Sequence, residues 1–446
     1  MIKRNPPAAA AAAVIAVALA AHAARAAGNP LANPDQIALE TQAARLLASA
    51  PVQAQVPFVT RTFAAHPFAS TAEGQATLPG AVKEVVFAAV VDAIDRDPAR
   101  PRIEWLWSPA HDWFGLSTPT SKVLMPNVDN VFRIVPVDGV SHYRLVATPT
   151  GPKPTQVSLQ LLPALPAEDQ WNKVIQELVD SDIRQETDGS YVITIGPEPA
   201  AADRPNHIAT TPASRFILIR DTIQDWATES PYRLEITRLD GPPGAATPDD
   251  DALAGQAADL ARQIAPRVLA ARGDNVGAVT GFFQGPANQL SSPKIREGGR
   301  WGLSSSGHFQ LGDDEALVIT LNPIGARYLA VQLANGWLGS LDYLHHTASL
   351  NLAQTRANPD GTVTLVVAAR DPGVANWLDT TGLHEGSMFV RWQQLPDTLD
   401  PQARGVRDVR LVKLSQLDPS LPRVTPDERR DLVQARAAAY ARRFAQ

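Results

Sequence analysis

The sequence predicts a mainly β chain with helical additions, its strands gathered into two antiparallel sandwich or jelly-roll-like units. Two zones of short strand-like runs carry that prediction, one from Val131 to Asp240 and one from Trp301 onward. Before and between them the apolar residues recur at spacings of three and four, the period of a helix packed on one face. The chain's 38 prolines fall mostly in connections, which suits many rigid turns.

Residues 1–26 read as a secretory signal peptide. Lys3 and Arg4 give a basic start, Ala8 to Ala21 an apolar run, and Ala21-His22-Ala23 or Ala24-Arg25-Ala26 a small-x-small cleavage site. That run is shorter than the roughly 20 residues needed to span hydrocarbon, so cleavage and a periplasmic or secreted mature protein without stable membrane insertion are expected.

From 27 to 125 a helical region is expected. Ile37, Leu39, Ala43, Leu46 and Leu47 form one apolar stripe, and Val82, Val85, Val86, Ala89, Val90 and Ala93 a stronger one. Pro79-Gly80 is expected to precede the second helix and Asp97-Pro98 with Pro101 to end it. The first β unit is assigned to 126–245, from the runs FRIVPV, HYRLVA, QVSLQLL, SYVITIG, SRFILIRD and YRLEITRL, with turns at Asp138-Gly139 and Asp188-Gly189. A helical pattern from Pro166 to Asp182 (Trp171, Val174, Ile175, Leu178, Val179) is expected to interrupt it.

Residues 246–300 form a helical connection. Its helix spans Asp250 to Arg272, with consecutive Asp residues at the start, where they suit the helix dipole, and Gly273 as the stop. The second β unit, 301–425, holds HFQL, ALVITL, RYLAVQL, TASLNLA, TVTLVVAA and MFVRWQQL. A last helix in 426–446, Asp427 to Phe444, is expected to present a solvated basic face.

Composition removes several functions. With 40 Lys+Arg against 46 Asp+Glu, the net charge of −6 and the lack of a long basic run argue against nucleic acid as a partner. Zero cysteines exclude disulfides, thiolate nucleophiles and Cys-ligated metals. No phosphate-binding or dinucleotide Gly-rich loop and no Gly-x-Ser-x-Gly elbow is present. The nine histidines lack chelating spacing, so neither a metal nor another cofactor is predicted.

Candidate chemistry concentrates in the C-terminal half. The stretch GSLDYLHHTASLNLAQ places Asp342, Tyr343, His345, His346, Asn351 and Gln354 in a segment otherwise fit for burial, where polar groups must pair or serve a ligand. Strand alternation would put Asp342, Leu344 and His346 on one face and Tyr343, His345 and Thr347 on the other. In RDPGVANWLDTTGLHEGSMFVRW, Asp379 and His384 could form an acid–base pair, with Glu385 or Arg391 orienting a substrate. Upstream, the Asp129 carboxylate and Asn130 amide of MPNVDN could line a cleft, although Asn and Asp this dense at a strand entrance usually make Asx-turns. Trp105, Trp107 and Trp113 cluster just before it and could hold an apolar-faced substrate or close a core.

The passages DDEALVITLNPIGARYLAVQLANGWLGSLDY, TASLNLAQ and RDPGVANWLDTTGLHEGSMFVRW resemble the domain of unknown function 1214 family, clearly from Trp301 to Trp392. More thinly, Asn127 to Leu239 resembles its companion, domain of unknown function 1254; nothing before Asp97 does so. The resemblance implies an all-β, jelly-roll-like fold with helical additions and a tendency to form homo-oligomers. It implies no reaction.

Two functions are therefore expected as alternatives. The first is an exported, cofactor-independent enzyme, a hydrolase, lyase or isomerase acting by acid–base chemistry on a neutral hydroxylated or partly apolar small molecule or glycan. In it Asp342, Tyr343 and His384 transfer protons, Arg391, Asn351, Asp129 and Asn130 bind and orient the substrate, and Trp337 and Trp377 form an apolar wall. The second is a non-catalytic periplasmic ligand-binding or assembly protein, in which the same groups pair with one another.

Overall fold

The computed structural model describes residues 28–165, 173–201, 204–273, 281–295, 302–399 and 404–445. The leader assigned to residues 1–26 lies outside them. The chain is mainly β with helical additions, as predicted: two sandwiches, a helical layer over the first, and a C-terminal helix at the seam between them.

The first sandwich pairs a five-stranded sheet with a four-stranded one. In the former, Phe216–Thr222 lies between Asn130–Pro136 and Gln156–Leu162, all antiparallel. In the latter, Tyr143–Thr148 lies between Arg233–Arg238 and Tyr191–Gly196. Leu159, Leu161, Ile217 and Ile219 meet Leu145, Ala147, Ile193 and Ile195 between the sheets. Tyr143–Thr148 keeps a solvated face, so its residues alternate buried and exposed; Asn130–Pro136 and Gln156–Leu162 are buried on both faces and do not.

The second face of the five-stranded sheet is apolar because helices cover it. Phe132, Ile134, Leu162, Phe216 and Leu218 pack under the helices Ala72–Ile94 and Asp250–Arg272. The former starts at its Thr71 cap, whose Oγ1 accepts from Gly74 N at 2.9 Å, and runs through Pro79 instead of beginning after it. Nearly every residue from Ala81 to Ile94 is buried, and this packing outweighs the donor and space that Pro79 removes. Asp250–Arg272 matches its predicted span, and Gly273 caps it with φ of 78°, the left-handed region that glycine adopts without steric cost.

Three other expectations need correction. Residues before 126 are not all helical: Glu104–Leu106 joins the five-stranded sheet through Glu104↔Ile134, and His111–Trp113 pairs with Leu116–Thr118. The described part of the Pro166–Asp182 segment is not a helix; Gln176–Val179 is a strand on the edge of Gln156–Leu162, followed by a single 3-10 turn at Asp180–Asp182. An unpaired sheet edge offers Ile175 to Val179 a backbone ladder, which outweighs a short helical period. Trp171 lies outside the described residues.

The third correction concerns the C-terminal helix. The second sandwich packs a sheet containing Gly302–Gln310, Glu385–Gln393, Tyr328–Ala334 and Ser349–Asn351 against one containing Trp377–Asp379, Val363–Ala368, Glu315–Leu321 and Val406–Lys413. Leu317, Ile319, Val331, Leu333, Leu365, Val367, Met388 and Val390 meet in its core. The helix Pro426–Ala441 begins with a reciprocal cap, Thr425 Oγ1 accepting from Glu428 N and Glu428 Oε2 from Thr425 N. Its basic face is not wholly solvated. Arg429, Arg436 and Arg443 recur every seven residues, two helical turns, and all three are buried with Tyr440, while Arg430 and Arg442 face water.

Candidate functional site

At the seam the chain makes an irregular approach to Asn130–Pro136. Leu124 and Met125 both take left-handed backbone angles, φ of 64° and 59°, immediately before Pro126. Asn127 then closes an Asx-turn, its Oδ1 accepting from Asp129 N at 3.1 Å, and its Nδ2 donates to Asn130 Oδ1 at 3.2 Å. The turn aims Asp129 inward, where it is 2% exposed.

Three side chains from distant elements complete the carboxylate's shell. Trp226 Nε1 donates to Oδ1 at 2.7 Å, while the Tyr328 hydroxyl at 2.7 Å and Asn351 Nδ2 at 3.1 Å donate to Oδ2. Asn127 Nδ2 also donates to the Tyr328 hydroxyl at 2.9 Å. Burial, and then the neighbouring Asp129 charge, push the Tyr328 phenol well above its ordinary range. A carboxylate held by three donors is an acceptor already in use, not a base awaiting a substrate.

Cations surround this shell. Arg391 Nη2 donates to the Met125 carbonyl at 2.9 Å and Nη1 to Gln332 Oε1 at 3.3 Å, tying down the left-handed pair. Arg436 Nε donates to the Tyr343 carbonyl at 2.5 Å and Nη2 to Ser349 Oγ at 2.7 Å, with its guanidinium 4.3 Å from the Trp226 ring centre. Burial lowers both guanidinium pKa values to about 10 against the pull of Asp129, so both are charged at neutral pH. Lys122 Nζ sits 4.3 Å above the Tyr343 ring; burial, then Arg443, drive its ammonium well below its usual range. Burial raises Glu84 to about 8, partly offset by its bond from Thr120 and by Lys122, leaving it mostly protonated at pH 7.

The predicted residues thus divide. Asp129, Asn130, Asn351 and Arg391 do converge, joined by Tyr343 through Arg436. None of the other four is among the groups that hold Asp129. Asp342 lies in a half-exposed turn, not a strand: its Oδ1 accepts from Leu344 N and His345 N, and its Oδ2 pairs with His345 Nδ1 at 2.9 Å. Burial raises its carboxyl pKa, but the His345 bonds more than offset this, so it is a poor proton donor. Tyr343 is buried with its hydroxyl 3.1 Å from that of Tyr440; burial, then Tyr440, push its pKa well above the ordinary range. Trp337 leaves the second sandwich for the helical core, 5.2 Å from the Phe63 ring and 4.8 Å from Phe68. Trp377 donates to the Ala368 carbonyl at 2.9 Å beneath Arg429.

His384 is not paired with Asp379, whose Oδ2 instead meets His346 Nδ1 at 2.7 Å. It bridges two layers: Nδ1 meets Glu73 Oε1 on the core helix at 2.9 Å, and Nε2 meets Asp313 Oδ1 at 2.9 Å. Bonds to Asp313 and Glu73 raise its pKa above 6.5. A folded pKa above the unfolded one gives stabilisation that is complete below about pH 6.5 and lost as pH rises through the folded value. His384→Gln should therefore lower the thermal midpoint at pH 6 and leave it nearly unchanged at pH 9. Because the ring is 42% exposed, solvent screening holds the effect to about 0.5 kcal/mol. Equal losses at both pH values would show that the clamp is not charge-based.

Of two small hollows, one is lined by Gln36, Trp105 and Arg133 and the other by apolar residues with Asn351 at the edge of the cluster. Neither gathers Asp342, Tyr343 and His384. Among the described residues no group of three or more His, Asp or Glu side chains is arranged to hold a metal ion.

Sequence reasoning missed Lys122, Trp226, Tyr328, Arg436 and Arg443. The first three are single residues in unremarkable runs. The arginines carried a legible signal, since a seven-residue repeat with Tyr440 marks one face of a helix.

No family model matches the chain, and no curated protein does. Among solved structures it is similar to an uncharacterized protein from Burkholderia cenocepacia, with 27% identity over 84% of this chain and all of the other, at a TM-score of 0.66. A protein from Vibrio parahaemolyticus matches at 12% identity over 65% of this chain and 90% of its own, with a TM-score of 0.38.

Proposed function

We propose that the chain is an exported, non-catalytic periplasmic assembly or ligand-binding protein. The observation that carries this reading is the disposition of its polar groups: Asp129 is occupied by Trp226, Tyr328 and Asn351, while Asp342 and His384 are engaged in separate ion pairs. An acid–base enzyme needs its donor and acceptor to face a common reacting atom. Export is supported by Lys3, Arg4 and the apolar run Ala8 to Ala21, and no helix among the described residues is long and apolar enough to cross a membrane. The resemblance of Trp301 to Trp392 to the domain of unknown function 1214 family belongs to the same reading, as do homo-oligomers and a glycan or small-molecule ligand.

The double variant Asp342→Asn/His384→Gln tests it in a strain whose own copy is deleted. It should restore the deletion phenotype as fully as the natural chain does. Loss of rescue by a variant that is exported, folded and thermally within a few degrees of the natural protein would return these residues to catalysis.

A further inference from the structure

Four cationic side chains are buried at the seam: Lys122 is 3% exposed, Arg391 4%, Arg436 6% and Arg443 7%. The fully enclosed carboxylate among them is Asp129, and three of the four, Lys122, Arg391 and Arg436, feel its charge directly. Glu84 supplies little countercharge while it holds its proton. An unmatched ion in a protein interior costs several kcal/mol, so this excess of positive charge requires a remedy.

Two donors identify where the remedy acts. Lys122 Nζ and Arg443 Nη2 are enclosed and have no hydrogen-bond partner among the described residues. They flank one tyrosine pair: Lys122 Nζ is 4.3 Å from the Tyr343 ring centre, the Arg443 guanidinium is 4.0 Å from that of Tyr440, and the two hydroxyls are 3.1 Å apart. Arg443 is anchored by Nη1, which donates to the Val128 carbonyl at 3.3 Å, next to Asp129. Buried donors without partners are rare in folded proteins, and a pair of cationic ones calls for an acceptor that carries charge.

We propose that the seam binds a small anion, of halide or carboxylate size, held by Lys122 Nζ and Arg443 Nη2. The anion joins the C-terminal helix to the first sandwich through charge and makes the seam's stability depend on the anion present. Gluconate, whose hydroxylated chain is far larger than a halide, serves as the comparison anion. Burial and Arg443 push the Lys122 ammonium below its usual range, and an anion beside it favours the protonated form; the groups that share in this balance are Glu84, Asp129, Arg391, Arg443 and Tyr343.

Thermal unfolding of the mature full chain tests the site, with chloride raised from 1 to 100 mM and gluconate holding ionic strength constant. The midpoint should rise by about 3 °C or more, and more at pH 6 than at pH 9. Lys122→Met should abolish the rise. Crystals grown in bromide provide a second readout that needs no variant: an anomalous peak beside Lys122 Nζ and Arg443 Nη2 supports the site, and its absence there overturns it. A midpoint indifferent to chloride, or a Lys122→Met protein that retains the full chloride dependence, overturns it as well. If Lys122→Met does not fold, Arg443→Gln takes its place with the same expected loss of dependence.

Discussion

Replacing Asp129 with alanine is expected to cost about 3–5 kcal/mol of folding stability, the usual penalty for removing one partner of a buried charge network. Two losses add. Trp226, Tyr328 and Asn351 each lose an acceptor in a place water does not reach, and Lys122, Arg391 and Arg436 lose their shared countercharge. Denaturant unfolding at neutral pH measures the total. Tyr328→Phe serves as the internal scale: it removes one donor and leaves the charge, so it should cost about 1–2 kcal/mol. If the two variants lose the same amount, Asp129 acts only as a hydrogen-bond acceptor and the electrostatic account fails.

Ending the chain after Val424 should have an effect of similar or greater size. The C-terminal helix seats Tyr440 at 1% exposure against Trp226, 4.7 Å between ring centres, and the following turn stacks Phe444 on His111 at 5.2 Å. Arg429 donates to the Asp371 carboxylate and the Val374 carbonyl, and Arg436 to Tyr343 and Ser349. Without the helix these aromatic and polar groups meet water together. The expected result is a red-shifted tryptophan emission, rapid proteolysis near Trp226, and a fall in the thermal midpoint of roughly 10 °C or more, since burial of one large aromatic alone contributes about 3–5 kcal/mol. An unchanged emission maximum would mean that the seam closes without the helix.

Much of this architecture was legible because one sheet of the first sandwich faces water. Tyr143, Leu145 and Ala147 alternate with Arg144, Val146 and Thr148, so local spacing declared the strand. The helix Asp250–Arg272 was equally plain, with acids at its start and glycine at its end. Gln176–Val179 was not, since a four-residue edge strand holds too few positions for a period to emerge, and the sheet edge that decides its conformation is built elsewhere.

The cluster at the seam was half legible for a related reason. Asp129, Asn351 and Arg391 are polar residues in runs otherwise suited to burial, which marks them as paired or functional without naming a partner. The partners are remote: Asp129 meets Tyr328 across 199 positions and Asn351 across 222. No periodicity reports a contact of that range. His384 illustrates the opposite error, for Asp379 lies only five positions away in sequence, yet the ring turns to Glu73, 311 positions earlier. Nearness along the chain was a poor guide once two sandwiches and a helical layer had converged.

The C-terminal helix also governs the order of assembly. Synthesis reaches it after both sandwiches, yet Arg443 donates to the Val128 carbonyl across 315 positions and its own carbonyl accepts from Asn29 across 414. Ring closures of that length are entropically expensive and slow compared with pairing neighbouring strands. Each half can thus condense early, while the joint between them sets only when the final wedge arrives.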